Sequence, residues 1–136
     1  MLSTEDRLDI TQIINLYGHV IDNRQWDRLE EILTEDIAFD STGTGGAVVS
    51  GLDALRDRWV KSRNHPLAHH AMNIVIWEDA DGTVRAQSKG LGVGFKGRVG
   101  SLTYYDVLRK TPAGWRIAAR RSQTMLPQPR PEAAED

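Results

Sequence analysis

The chain has 136 residues, 40% of them hydrophobic and 26% charged, the balance of one globular domain large enough to bury a core without staples. Its 17 Lys and Arg against 19 Asp and Glu leave a formal charge of −2, so no basic field points to nucleic acid. Cysteine is absent, which excludes disulfides, thiolate nucleophiles and cysteine-held zinc.

The first element is a helix that starts at Ser3 or Thr4, with Asp6 placed to close a capping box. Ile10, Ile13, Ile14, Tyr17, Val20 and Ile21 then fall within one arc at about 100° per residue and face a core. A shorter helix carries Trp26, Leu29, Ile32 and Leu33 and ends before a strand at 37–40. The Gly- and Thr-rich stretch 41–46 reads as a loop, followed by a short strand at 47–50 and a third helix over 53–62. The second half changes period. Segments 69–78, 83–95, 98–110 and 115–126 read as four strands, separated by the turn signals Asp81-Gly82, Lys96-Gly97 and Pro112-Ala113-Gly114.

Helices first and a long meander afterwards is the α+β pattern, a sheet with helices on one face. The domain is expected to span 1–126, and the Pro-rich, acidic stretch 127–136 to be a disordered tail. No apolar run approaches the roughly 20 residues that span a bilayer. Met1-Leu2-Ser3-Thr4-Glu5-Asp6 is too acidic and polar for a signal peptide, so a cytoplasmic protein with no membrane partner is expected.

The chemistry-bearing residues are a phenol, Tyr17, a carboxylate, Asp22, and the imidazoles His69 and His70, the types that move protons without a cofactor. A carboxylate in the last turn of a helix opposes the helix dipole, so Asp22 invites either a cationic partner or a capping role towards Trp26. Tyr17 and Asp22 lie about 140° apart on an ideal helix and converge only if it ends or distorts near Val20. Strict alternation groups His69 with Ala71 and Asn73, and His70 with Met72, Ile74 and Ile76. On the last strand it groups Arg121 with Trp115 and Ile117; selecting Arg120 instead requires a bulge. Phe39, Trp59, Met72, Val93 and Tyr104 are candidate pocket lining, each equally suited to plain core. Asp106 is either a second acid or the partner of an arginine on the neighbouring strand. Gly90, Gly92, Gly94, Gly97 and Gly100 sit in a strand and hairpin, so sheet bending or a close subunit contact suits them better than phosphate binding.

The first helix ending in Asp, the Trp26-Asp27-Arg28-Leu29 segment running into Glu35-Asp36-Ile37-Ala38-Phe39, a His leading into Asn73, and a terminal Gly114-Trp115-Arg116-Ile117 strand together resemble the SnoaL-like, scytalone dehydratase-like branch of the nuclear transport factor 2 superfamily. The resemblance covers roughly residues 4–126. It implies a cone, a strongly bent, mainly antiparallel sheet wrapped around three helices and an enclosed apolar pocket. It also implies cofactor-independent lyase or isomerase chemistry, with no metal, on an apolar cyclic oxygenated small molecule. Dehydration or elimination then comes ahead of isomerisation or polyketide-type cyclisation. In that reading His69, four residues before Asn73, is the general base and Asp22 its orienter. Tyr17 donates to the substrate oxygen, and Arg120 or Arg121 stabilises developing charge. His70 is the other candidate base. Because the superfamily also contains non-catalytic binding modules and auxiliary subunits of ring-hydroxylating dioxygenases, fold alone leaves function open. Homodimers or higher homo-oligomers are a further expectation of the resemblance.

Overall fold

The computed structural model describes residues 1–63 and 65–125. The tail expected at 127–136, with Leu126 just before it, lies outside the described residues.

Helix α1 (Thr4–Asp22) begins where its capping residues dictate: the Ser3 hydroxyl accepts from the Asp6 N–H, and the Asp6 carboxylate accepts from the Ser3 N–H. Its apolar stripe is buried from Ile10 to Ile21, with Ile10, Ile14 and Val20 fully inaccessible. The second helical segment is a 3-10 turn, Trp26–Glu31, rather than a short α-helix. Ile32 and Leu33 therefore leave it; Leu33 opens strand β1 (Leu33–Gly43), which runs into the stretch expected to be loop. Strand β2 (Val48–Ser50) and helix α2 (Leu52–Lys61) complete the first half.

The second half is β3 (Ala68–Glu78), β4 (Val84–Val93), β5 (Val99–Thr111) and β6 (Gly114–Thr124). The six strands form one open sheet in the order β2-β1-β6-β5-β4-β3, with β1 and β6 parallel and every other pair antiparallel. Helix α1 packs on β3 and β6, and α2 on β1. Ile10, Ile14, Leu29, Ile37, Leu55 and Ile117 form the driest part of the core between them. Among the described residues no helix is long and apolar enough to cross a membrane.

Two irregularities decide which side chains face the helices. The β3–β4 register shifts between Met72 and Val75, where Asn73 takes φ 54°, a conformation that Asn tolerates better than most residues. The inward set on β3 is therefore His69, Ala71, Ile74 and Ile76, and His70 and Met72 point outward with Met72 40% exposed. The β5–β6 register shifts between Val107 and Leu108, which pair with Ala119 and Ile117. Ala118 is the extra residue. Trp115 and Ile117 face inward before it, and Arg120 and Ser122 after it.

Candidate functional site

Asp22 is the last residue of α1, and Asn23 behind it supplies the C-cap, its N–H reaching the His19 and Ile21 carbonyls. The Asp22 carboxylate does not turn to the loop before Trp26. It accepts the His69 main-chain N–H at 2.9 and 3.1 Å, and its Oδ1 lies 2.6 Å from His69 Nδ1. A carboxylate offers only acceptors, so the hydrogen between them sits on Nδ1, and in the neutral imidazole Nε2 then keeps its lone pair. This pair is partly open to solvent, at 14% exposure for the imidazole and 21% for the carboxylate.

The helix stays regular to Asp22, yet Tyr17 and Asp22 both reach His69. The Tyr17 ring stands edge-on to the imidazole at 6.3 Å between centroids. Gly18, which lies between them on the helix surface, makes this convergence possible. A Cβ there would lie 2.5 Å from the His69 carbonyl oxygen, so the missing side chain lets β3 cross α1 at backbone distance.

Behind Tyr17 lies a sealed second pair. Arg120 and Asp106 are both 0% exposed and joined by two hydrogen bonds, Nε to Oδ1 and Nη2 to Oδ2, each 2.7 Å. The guanidinium is clamped between two phenol rings, 4.3 Å from the Tyr17 centroid and 4.2 Å from that of Tyr104. Burial works against the Arg120 charge, but Asp106 outweighs it and holds the guanidinium above its ordinary pKa. Burial pushes the Tyr17 phenol well above its usual range, with Tyr104 adding to the effect and Arg120 opposing it; burial raises Tyr104 as well. Tyr17 is thus a neutral donor at any working pH. Arg120 supports the tyrosines from beneath and is not among the residues lining the cavity in front of them.

That cavity has a volume of about 680 Å³. Its floor is the buried set Tyr17, Phe39, Trp59 and Tyr104, with His69 among them. Its rim, which includes Thr44, Arg58, Arg98 and Thr124, is exposed, so the space is an open cleft rather than the enclosed pocket expected. Phe39, Trp59 and Tyr104 line it as anticipated. Met72 and Val93 do not line it: the Asn73 bulge leaves Met72 on the outer face, and the neighbours of Val93, Gly92 and Gly94, take the lining positions. His70 is exposed on the outer face, and the Ala118 bulge sends Arg121 outward as well, where its guanidinium lies over the Tyr105 ring at 4.2 Å. His19 is exposed on α1.

A second imidazole enters the site without having been singled out in the sequence. His65 lines the cavity, 6.1 Å from His69 and 6.1 Å from Trp59 between ring centroids. Burial lowers its pKa from the ordinary 6.5, and the neighbouring His69 and Arg24 lower it further against an opposing pull from Asp22. The only local signal was Pro66, which disfavours helix at the residue before it; both residues line the cavity. Among the described residues no three His, Asp or Glu side chains converge closely enough to hold a metal ion.

Residues 3–121 match the model of the SnoaL-like domain family. An uncharacterized protein of Mycobacterium tuberculosis is 31% identical over 123 residues, spanning 85% of this chain and 82% of that protein. A crystal structure of a candidate aromatic ring hydroxylase from Novosphingobium aromaticivorans superposes with a TM-score of 0.76 at 26% identity, covering 93% of this chain and 94% of that one. A candidate scytalone dehydratase from the same organism superposes with a TM-score of 0.68 at 18% identity, over 98% and 100% of the two chains, a likeness of fold. The capped first helix, the mixed six-stranded sheet and the match over residues 3–121 agree: this chain belongs to the SnoaL-like domain family.

Proposed function

We propose that this protein is a cofactor-independent acid–base enzyme, a dehydratase-like lyase acting on a cyclic oxygenated small molecule held against the aromatic floor of the cleft. The observation that carries the reading is the 2.6 Å contact between Asp22 and Nδ1 of a histidine that lines the cavity. In this mechanism His69 Nε2 removes the proton from the carbon beside a carbonyl, and Asp22 stabilises the imidazolium that forms. Tyr17 donates a hydrogen bond to the carbonyl oxygen as it gains enolate charge. Expulsion of the β-oxygen, protonated by the same imidazolium, gives water and the conjugated product and returns His69 to its starting state. A candidate scytalone dehydratase shares this fold, which supports the reading.

Proton abstraction can be read without knowing the leaving group. Deuterium incorporation from D2O beside the carbonyl of 2-tetralone and related cyclic ketones, followed by NMR, is expected to be catalysed by the parent protein. His69→Ala should lower the rate on the order of 10²–10⁴-fold, the usual worth of a positioned base, and Asp22→Asn should lower it nearly as far. Undiminished exchange in both variants would overturn the mechanism.

A second reading, an auxiliary subunit of a ring-hydroxylating enzyme, draws on the description of the Novosphingobium relative. It predicts co-purification with a large iron–sulfur chain and a complex whose turnover is indifferent to His69→Ala.

A further inference from the structure

The cleft is polarised in a way that the proton-transfer reading does not use. Its buried end is aromatic, whereas its exposed rim carries Arg58 from α2 and Arg98 from the turn between β4 and β5, with hydroxyls from Thr44, Ser62, Ser101 and Thr124. Among the described residues no Asp or Glu lines it, although acidic residues outnumber basic ones in the chain as a whole. The Asp22 carboxylate, which holds the cavity-lining His69, is already engaged by it.

Several arginines elsewhere are matched, although among the described residues Arg24, Arg63 and Arg121 also hold no carboxylate. Arg28, Arg56, Arg85, Arg109 and Arg120 each hold a carboxylate. Among the described residues Arg58 and Arg98 hold none, and neither side chain makes a hydrogen bond. Arg24 extends the positive field to the His65 wall, where its charge depresses the imidazole. A wholly apolar ligand would gain nothing from such a rim. A ligand with one anionic arm would place its ring on the aromatic floor and its charge between two guanidiniums that can bind it through paired N–H groups.

We propose that the cleft selects a cyclic small molecule bearing an anionic group, with Arg58 and Arg98 as the residues that recognise the anion. This rests on the cleft being the substrate site, as the proposed function has it, and narrows the substrate class from apolar to amphiphilic and acidic.

The test is calorimetric titration of the intact protein with 1-naphthylacetate and with 1-naphthylacetamide, which share shape and ring and differ in charge. The acid should bind about tenfold more tightly at low ionic strength, the worth of a charge-assisted contact at a hydrated rim, and added salt should erode the difference. The Arg58→Gln/Arg98→Gln double variant should lose that preference while binding the amide as the parent does, and both positions are exposed enough for it to fold. Equal affinity for the two ligands, no binding of the acid, or a preference that survives in the double variant would each overturn the proposal. Because this readout involves no turnover and no change at His69, it fails independently of the acid–base mechanism. Deuterium exchange that depends on His69 alongside equal binding of acid and amide would sink only the anion site, and the converse result only the mechanism.

Discussion

Two acid–base pairs lie on either side of Tyr17, and they differ in one respect that matters. Asp22 and His69 keep 21% and 14% of their side-chain surface, whereas Asp106 and Arg120 keep none. The first pair is open to solvent, as the proposed proton transfer requires. The second is sealed by Tyr17 and Tyr104, and its charges cannot be neutralised by solvent, so it serves as a foundation. Exposure, more than the identity of the partners, separates what the two pairs can do.

The hardest blow to that contrast is to remove one partner of the sealed pair. Arg120→Met leaves the Asp106 carboxylate buried without a counter-charge and should cost about 3–5 kcal/mol of stability. In a domain of this size that lowers the thermal midpoint by roughly 10 °C or more. Replacing both partners, Arg120→Met with Asp106→Leu, should recover a large part of the loss, because no orphaned charge remains. Asp22→Asn, by contrast, should cost no more than about 1 kcal/mol, since its surroundings are partly solvated. Thermal melts of the four proteins decide the matter; an Arg120→Met midpoint close to that of Asp22→Asn would mean that the two pairs are alike.

A smaller change sharpens the comparison from the open side. Gly18→Ala puts a methyl group 2.5 Å from the His69 carbonyl oxygen, and neither backbone can yield without parting α1 from β3. Overpacking of this kind costs about 1–3 kcal/mol. The displacement falls on the contact that holds Asp22 against His69, so exchange activity should drop further than the melt alone accounts for. Full activity in Gly18→Ala would show that the open pair does not depend on that close crossing.

Much of this arrangement is legible in the chain. The switch from a 3.6-residue to a 2-residue apolar period marks helices from strands, and Ser3 with Asp6 sets the start of α1 to the residue. The pairing of Asp22 with His69 comes from the family resemblance, since the residues alone also allow Asp22 a capping role and leave His70 as the other base. What cannot be read is parity past a bulge. Alternation groups His70 with Ile74 and Arg121 with Ile117, and one extra residue at Asn73 and at Ala118 reverses both. Asn73 carries a faint signal in its tolerance of positive φ, whereas Ala118 carries none, since nothing in alanine marks a bulge. Gly90 reads as a bending residue, yet its role is space: a Cβ there would stand 2.5 Å from the Tyr104 ring. Such contacts belong to tertiary structure and leave no trace in local pattern.

The mildest perturbation concerns His65, which sits on the cavity wall 6.1 Å from His69 between ring centroids. Its folded pKa lies below the ordinary 6.5, first through burial and then through His69 and Arg24. The unfolded chain therefore binds more protons than the folded one as pH falls past that value, and stability is lost on the acid side. The stabilising neutral form is fully present above about pH 6.5 and is withdrawn below it. His65→Gln removes this titration while keeping a polar side chain of similar reach. Its thermal midpoint should consequently fall less than the parent's between pH 7 and pH 5, with the two curves parallel above neutrality. A parent curve no steeper than that of the variant would show that the wall around His65 is as wet as bulk solvent. The distinction drawn between an open pair and a sealed one would then need a third class, groups at the cavity edge whose charge costs the fold nothing.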